Sequence, residues 1–242
     1  MTDAEQLAEL IRERQPCVVL TGAGVSTESG IPDFRSAAGI WAEVDPMEVA
    51  SIWAFQRDPR LVWEFYGRRV SVVSDARPNP AHLALAELER RGLVAAVVTQ
   101  NIDTLHEQAG SRDVVEVHGS IRTASCSVCG VPVPIGSALG RLPLPTCEAC
   151  GGTLKPDVVM FGEAMPVRET DRAFALARDA ALLLVVGSSL EVYPVAALPE
   201  ETLAAGGALA IVNRGPTPYD DSATLKLDAS AGAVLAAVVD AL

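Results

Sequence analysis

Aromatic residues and long hydrophobic runs are both scarce in this chain of 242 residues. Phe, Trp and Tyr make up only 5% of a sequence that is 49% hydrophobic, so we predict a core of aliphatic side chains. No apolar run approaches the ~18 residues that a membrane-spanning helix needs. Residues 1–14 carry acidic side chains and lack the apolar core of a signal peptide. These absences predict a cytoplasmic protein that does not contact a membrane.

Positive charge is also in short supply. The chain has 19 Lys and Arg residues against 31 Asp and Glu residues, which gives a formal net charge of -12. Nucleic-acid binding draws its affinity from Lys and Arg on phosphates, so this balance argues against nucleic acid as a partner. An acidic surface suits a protein that meets basic peptides, although the charge could equally serve solubility alone.

The five cysteines are distributed in a pattern typical of a metal site. In the cytoplasm cysteines stay reduced, and paired cysteines there favour a metal over a disulfide. Cys126 and Cys129 form one C-x-x-C pair, and Cys147 and Cys150 form a second pair after 17 intervening residues. Two such pairs complete a closed tetrahedral site, which predicts one structural zinc ion. The alternative is four unrelated buried cysteines, as we expect for Cys17 in its apolar stretch.

Apolar stretches of strand length alternate with helical stretches along most of the chain. We predict helices near the N-terminus and at residues 58–74, 80–91, 167–178, 195–205 and 231–242, with strands at 17–20, 94–98, 182–186 and 209–212. The alternation predicts an α/β fold with a parallel sheet that has helices on both faces. Residues 121–156 are rich in Pro, Gly and Cys, show no helical period and interrupt the pattern.

A turn of small residues follows the first predicted strand. Residues 21–26 read TGAGVS, and such a turn can present backbone N–H groups to a phosphate. The dinucleotide fingerprint G-x-G-x-x-G needs a third glycine where Thr27 stands. The acid that it needs for the ribose is matched only by Glu43 and Asp45, in a loop-like stretch. The poor match argues against an oxidoreductase that transfers hydride.

Six motifs in a fixed order resemble those of the sirtuin (Sir2) family. They are residues 22–35 (GAGVSTESGIPDFR), 99–106 (TQNIDTLH), 118–119 (HG), the two C-x-x-C pairs, 156–163 (PDVVMFGE) and 187–190 (GSSL). The resemblance covers nearly the whole chain. It implies a discontinuous Rossmann-like NAD-binding domain with a small domain beside it. We assign residues 1–35, 76–120 and 157–242 to the first, residues 36–75 to the helical part of the second, and 121–156 to its zinc-binding module.

The reaction that this resemblance implies is the removal of acyl groups from protein lysines. The acyl oxygen displaces nicotinamide from the ribose of NAD, and the products are nicotinamide and O-acyl-ADP-ribose. The partners are then acylated protein lysines, with neither nucleic acid nor membrane involved. ADP-ribosyl transfer to protein, which some relatives perform, is the alternative. The sequence leaves the oligomeric state open, with a monomer as one option.

The resemblance also implies roles for individual residues of the cofactor site. The turn at 22–26 faces the pyrophosphate, Arg35 adds positive charge, and Phe34 keeps water from the reactive sugar carbon. Asn101 and Asp103 can bond to the nicotinamide amide and the ribose, although Asp103 could instead cap the next helix. The full cofactor set is Gly22, Ala23, Gly24, Ser26, Asp33, Phe34, Arg35, Trp41, Gln100, Asn101, Ile102, Asp103, Gly187, Ser188, Ser189, Asn213 and Ala231.

The reaction also needs a base that takes a proton from a ribose hydroxyl, and the chain has only three histidines. His82 falls in the first turn of a predicted helix and is expected to be structural or on the surface. His106 is expected to pack beneath residues 101–103. His118 ends an apolar strand before a glycine, so we predict His118 as the base, acting with Asn101 and Asp103 as the catalytic set.

Three further residues bear on the substrate. Val158, Val159 and Phe161 resemble the segment that pairs with a substrate peptide as an added strand; the alternative is an ordinary buried strand.

A second substrate signal concerns the acyl group. Tyr66 and Arg69 share one helical face and resemble the pair of the sirtuin subgroup that accepts succinyl- and malonyl-lysine. Ala50 leaves room for a longer acyl chain. The stretch 63–66 could instead be a plain amphipathic stripe, and Arg68 could be the acid-binding residue. Thr27 and Asp33 depart from the subgroup pattern, so the balance between deacetylation and desuccinylation stays open.

Overall fold

A computed structural model describes residues 2–37 and 39–242 of the chain. These residues form nine strands and ten α-helices. The strands are β1 (Cys17–Thr21), β2 (Ala96–Thr99), β3 (Val114–Glu116), β4 (Gly119–Cys126), β5 (Pro132–Pro134), β6 (Leu154–Val158), β7 (Leu182–Val186), β8 (Ala208–Val212) and β9 (Leu225–Leu227). The helices are α1 (Asp3–Glu13), α2 (Pro46–Val49), α3 (Ile52–Arg57), α4 (Pro59–Asp75), α5 (Pro80–Arg90), α6 (Leu105–Ala109), α7 (Ile135–Leu139), α8 (Val167–Asp179), α9 (Leu198–Ala204) and α10 (Ala231–Ala241).

Six strands form one parallel sheet in the order β3-β2-β1-β7-β8-β9. Its central strands are buried on both faces, so they consist of continuous aliphatic residues. Successive side chains point to opposite faces: Val19 packs with Leu85 and Leu235 of α5 and α10, while Leu20 packs with Leu198 of α9. This layered α/β fold, with helices on both faces of a parallel sheet, confirms the fold class predicted above.

Helix boundaries follow from local capping chemistry. The carboxylate of Asp58 accepts the backbone N–H of Arg60 at 3.1 Å, and proline follows at the first position of α4. Asn79 does the same for α5, where its side-chain oxygen accepts from Ala81 at 2.9 Å and Pro80 comes first. Both starts agree with the predicted starts to within one residue.

A smaller antiparallel sheet, in the order β5-β4-β6, carries the cysteine pairs. Its inner side packs on α3 and α4, and the fully buried Trp63 donates its indole N–H to the carbonyl oxygen of Leu154 at 2.7 Å. The chain runs along β4 toward the cysteine cluster and returns along β6 toward the large sheet. β4 crosses 120/121 and β6 crosses 156/157, the two positions at which we predict domain boundaries.

Several predicted elements differ from the observed ones. The strand predicted at 94–98 is found at Ala96–Thr99, although the N–H of Ala95 already bonds the carbonyl of Cys17. The helix predicted over 195–205 is a short 3₁₀ turn followed by α9. Residues 121–156 do contain a helix, α7, which is too short to show a periodic pattern. No helix within residues 2–37 and 39–242 combines the length and apolarity needed to cross a membrane.

Candidate functional site

A cavity of about 810 Å³ opens at the carboxyl ends of four parallel strands. Gln100, Gly187 and Asn213 directly follow β2, β7 and β8 and line it, as does Gly22 after β1. β1 pairs with β2 on one side and with β7 on the other. The chain continues from β1 toward the β2 side of the sheet and from β7 toward the β8 side, so the strand order reverses between β1 and β7. Ligands of open α/β sheets bind at such a switch point. All residues predicted for catalysis, cofactor and substrate line this one cavity, whereas none of the four paired cysteines does.

The small-residue turn lies against the loop after β7. The turn enters a 3₁₀ helix, Ala23–Ser29, and the N–H of Gly24 donates to the carbonyl of Gly187 at 2.8 Å. A Cβ on Gly22 or Gly24 would lie 2.9 Å or less from the backbone of Gly187, so any larger residue would force the two loops apart. The two glycines therefore let the turn and the loop after β7 pack backbone to backbone at the edge of the cavity.

Three buried polar side chains form a hydrogen-bonded network behind this turn. The hydroxyl of Ser26 donates to a carboxylate oxygen of Asp103 at 2.6 Å, and the amide of Asn101 donates to the Ser26 oxygen at 3.1 Å. The other carboxylate oxygen of Asp103 accepts the N–H of Leu105, the first residue of α6, at 3.0 Å. Asp103 therefore lines the cavity and caps α6 at once, so the two roles considered for it are both compatible with the geometry.

The base candidate His118 is held in one tautomer. Its Nδ1 lies 3.1 Å from the carbonyl oxygen of Gln100, which can only accept, so Nδ1 carries the proton. Nε2 then keeps a lone pair, and it has no hydrogen-bond partner among the described residues. Burial lowers the pKa of His118 from its usual value, the bond to Gln100 opposes this, and the charge of Arg35 adds to the lowering. The imidazole is therefore neutral at neutral pH, as a base must be.

This shift sets an expected pH profile. Because only neutral His118 can accept a proton, we expect kcat/KM for NAD to rise with pH through a pKa below 6.5 and then stay level. The measurement is the initial rate of acyl loss from about pH 5 to 8, where histidine titrates, with a substrate peptide free of His. If the rate instead rose with a midpoint above pH 6.5, burial and the charge of Arg35 would not control the pKa of the catalytic histidine.

The other two histidines are structural. His82 is fully buried in the first turn of α5, where its Nδ1 accepts the N–H of Asn79 at 3.3 Å. His106 is buried, and its Nε2 lies 2.9 Å from the hydroxyl of Thr21. Burial, followed by the neighbouring His82, lowers the pKa of His106 to about 3. Neither ring lines the cavity.

An aromatic cluster forms one wall of the cavity. Trp41 stacks on Phe34 with ring centroids 5.0 Å apart and on Phe65 at 5.9 Å. The guanidinium of Arg69 lies over the Phe34 ring at 4.8 Å from its centroid and over Phe65 at 5.8 Å. Burial lowers the pKa of Arg69, against the opposing effect of Tyr66, yet a guanidinium stays charged at neutral pH. The wall therefore combines apolar ring faces with one cation.

The neighbouring Arg68 lies elsewhere. It is exposed and pairs with Glu64 one turn earlier on α4, with the two charged groups 2.6 Å apart. Arg68 does not line the cavity, whereas Arg69 and Tyr66 both do. Burial raises the pKa of Tyr66, so its phenol keeps its proton and can donate a hydrogen bond.

The four paired cysteines meet at the far end of the small sheet. Their sulfur atoms all lie within 4.8 Å of one another, with Cys126 and Cys150 3.5 Å apart and Cys129 and Cys147 3.7 Å apart. A tetrahedron with Zn–S bonds of about 2.3 Å has edges of about 3.8 Å, and a disulfide is far shorter. The cluster is therefore consistent with a closed zinc site that leaves no position for a substrate.

Some cavity residues were not singled out from the sequence. Glu28 ties the glycine turn to the start of α10: its carboxylate accepts the Ser230 hydroxyl at 2.6 Å and the Gly232 N–H at 3.0 Å. Glu191 pairs with Arg35 at 3.2 Å on the rim. Glu28 lies inside the motif at 22–35, and Glu191 directly follows the motif at 187–190. Their partners are distant in sequence, so the contacts become visible only in the folded chain.

Comparisons with known proteins agree with this site. The model of the Sir2 family matches residues 22–194. An NAD-dependent protein deacetylase of Caldivirga maquilingensis is 48% identical over 96% of this chain and 91% of its own length. An NAD-dependent protein deacylase of Pyrococcus furiosus is 43% identical over 97% and 96%.

Solved structures give the same result. A Sir2 complex with a p53 peptide and NAD+ is 38% identical, with a TM-score of 0.92 over 99% of this chain and 98% of the other. A mutant Sir2 homologue in complex with ADP-ribose is 43% identical, with a TM-score of 0.94 over 98% and 95%. The chain therefore belongs to the Sir2 family of NAD-dependent protein deacylases and deacetylases.

Proposed function

We propose that this Sir2 protein removes acidic acyl groups, succinyl and malonyl, from protein lysines in addition to acetyl groups. Deacylation as such follows from the family, since the relatives are NAD-dependent deacylases and deacetylases over nearly their whole length. ADP-ribosyl transfer to protein is not favoured by these relatives. The observation that carries the finer proposal is the cation of Arg69 inside an otherwise aromatic wall of the cavity.

The cofactor half of the proposal rests on the residues at the strand ends. Backbone N–H groups of the 22–26 turn, other than those of Gly22, Gly24 and Val25, which already donate to carbonyl oxygens, are suited to the pyrophosphate, with the charge of Arg35 nearby. NAD, when bound, supplies the ribose carbon that receives the acyl oxygen as nicotinamide leaves. Asn213, which follows β8, and Ala231, which begins α10, line the same cavity and suit the adenosine portion. Asn101 and Asp103, held rigidly by Ser26, suit the nicotinamide end.

The catalytic half of the proposal rests on His118. Its tautomer leaves Nε2 free to take the proton of a ribose hydroxyl, and the carbonyl of Gln100 stabilises the Nδ1–H of the imidazolium that forms. Phe34 and Trp41 line the same cavity, and their stacked rings are suited to exclude water from the sugar carbon. Proton transfer, orientation and water exclusion are thus assigned to separate residues of the same cavity.

The substrate backbone is assigned to residues 158–161. Val158 ends β6, and Val159 and Phe161 line the cavity beyond it. An extended peptide can add to such a segment as a strand, which uses main-chain hydrogen bonds and tolerates many sequences. Val158 is itself buried at the strand end, as the ordinary-strand interpretation expects, and beyond it the carbonyl oxygen of Val159 has no partner among the described residues and can accept a hydrogen bond from the peptide.

The acyl group is assigned to Arg69 and Tyr66. The Arg69 guanidinium has no ion-pair or hydrogen-bond partner among the described side chains, so its donors are available to a carboxylate. The ring faces of Phe34 and Phe65 hold it in place without using those donors. The Tyr66 phenol, kept neutral by burial, can add a second hydrogen bond. Ala50 lines the same part of the cavity and takes little room.

Replacement of Arg69 by methionine tests this assignment. We expect kcat/KM for succinyl and malonyl peptides to fall at least about tenfold, since a charge-assisted pair contributes roughly 1.5–3 kcal/mol, while the value for the acetyl peptide changes little. The measurement is the rate of deacylation of matched peptides that differ only in the acyl group. The matched control is Arg68→Met, one position away on α4, which should leave the succinyl-to-acetyl ratio unchanged. Equal losses on all three peptides would show that Arg69 supports the fold and not the acyl group.

A further inference from the structure

Lys155 forms an unusually complete set of contacts beside the segment proposed to bind substrate. Its ammonium lies 3.0 Å from the carbonyl oxygen of Pro156, 2.9 Å from that of Val158 and 3.0 Å from the carboxylate of Glu163. An ammonium has three N–H donors and no acceptor, so all three donors are engaged. Only 18% of the Lys155 side chain and 22% of the Glu163 side chain is exposed.

Glu163 also bonds to the backbone of residue 160, in the turn that follows β6. The carboxylate oxygen that meets Lys155 also accepts the backbone N–H of Met160 at 2.8 Å. The backbone N–H of Glu163 returns to the carbonyl of Met160 at 3.0 Å. Through these contacts one ion pair links residues 155, 158, 160 and 163. It fixes the chain from β6 to Glu163.

The remaining backbone groups of this turn are tied to other elements. The N–H of Val159 donates to the carbonyl of His118, and Phe161 exchanges hydrogen bonds with Ala50 and Ile52, each at 2.9 Å. From Val159 to Phe161, only the carbonyl oxygen of Val159 lacks a partner among the residues that the structure describes. Val159 lines the cavity. The ion pair therefore helps to leave a single main-chain acceptor available there.

We propose that Lys155 and Glu163 act as positioning residues, which hold residues 158–162 in the shape that receives the acylated lysine. The inference rests on the proposed deacylase function. Neither residue needs to touch the reacting atoms; each acts through the backbone. A partly buried ion pair is suited to hold a backbone segment in place. Removal of one partner leaves carbonyl or carboxylate oxygens without a hydrogen bond in a partly buried site. An ion pair that only supports the small sheet would instead affect stability without regard to substrate.

The test uses size-matched replacements, Lys155→Met and Glu163→Leu, and their combination. We expect each single variant to raise KM for the acyl peptide about tenfold, as expected when a charged hydrogen bond is lost, with KM for NAD and zinc content within about twofold of wild type. Because the two residues act as a unit, the double variant should be no worse than the poorer single one. Lys155→Arg, which keeps the charge, should recover part of the peptide affinity.

A matched control removes another cation. Arg178→Met breaks the exposed pair between α8 and Glu201, which lies outside the cavity, and should leave both KM values unchanged. The inference is overturned if the Lys155 and Glu163 variants keep the wild-type KM for peptide. It is equally overturned if the KM values for peptide and NAD rise together with a lower thermal midpoint, since that is the signature of a structural pair. A wild-type protein that consumes no acyl peptide would instead refute the proposed function itself, and this inference with it.

Discussion

Replacement of His118 by alanine is expected to lower kcat for deacylation by at least about a hundredfold, the usual contribution of a positioned general base. The reason is that Nε2 of His118 is the one neutral imidazole nitrogen that faces the cavity, and its tautomer is fixed by the carbonyl of Gln100. The measurement is the single-turnover rate of acyl peptide loss with saturating NAD.

Two controls separate a chemical defect from a folding defect. The His118 side chain makes one hydrogen bond among the described residues, to the carbonyl of Gln100, so the variant should keep its zinc content, its thermal midpoint and its KM for NAD within about threefold. His118→Gln restores a polar side chain but no base, and it should be as slow as the alanine variant. A loss of less than about threefold in either variant would remove His118 from the role of base.

Loss of the zinc site is expected to have the second large effect. We expect Cys147→Ser to bind less than half a zinc ion per chain and to lower the thermal midpoint by about 10 °C or more, because metal binding contributes directly to folding. Deacylation should fall in parallel. The cause is indirect: β4 and β6 connect the cysteine cluster with the cavity, since Cys126 ends β4, whereas His118 precedes β4 and Val158 ends β6.

Cys17→Ala is the matched control for the zinc prediction. Cys17 is fully buried in β1, far along the chain from the pairs, so its replacement removes a thiol without removing a ligand. It should keep one zinc ion per chain and lose only about 1 kcal/mol of stability, as a small core truncation does. If chelation removed the zinc and left both the thermal midpoint and the activity unchanged, the structural role of the metal would be refuted.

Features that depend on near neighbours in the sequence were predictable. The zinc ligands follow from C-x-x-C spacing, and the starts of α4 and α5 follow from Asp58 and Asn79 ahead of prolines. The central strands were predicted from their apolar runs, because a parallel sheet covered on both faces needs continuous aliphatic strands. The α/β class was predictable for the same reason.

Features that depend on distant partners were not predictable. Glu28 contacts Ser230, which lies 202 positions away, and no local pattern indicates that an acid caps a helix of another segment. The contacts of Lys155 with the carbonyls of 156 and 158 depend on how the chain turns after β6. The five residues of α7 span little more than one turn and include a glycine, so packing and not periodicity forms that helix.

The choice between Arg68 and Arg69 depends partly on sequence spacing and partly on tertiary packing. The three-residue spacing from Tyr66 favours Arg69 from the sequence, since such residues share a helix face. Which face meets a ligand depends on how α4 packs, and the structure directs Arg69 into the cavity and Arg68 to solvent with Glu64. The acyl preference of the enzyme stays a prediction from that geometry.

The most direct measurement is mass spectrometry of the purified protein incubated with matched acetyl-, succinyl- and malonyl-lysine peptides, with and without NAD. We expect all three peptides to lose their acyl groups only when NAD is present, with one nicotinamide released for each acyl group removed. Peptides that stay intact in the presence of NAD would contradict the account. Acyl loss without NAD, or nicotinamide release without acyl loss, would contradict it as well.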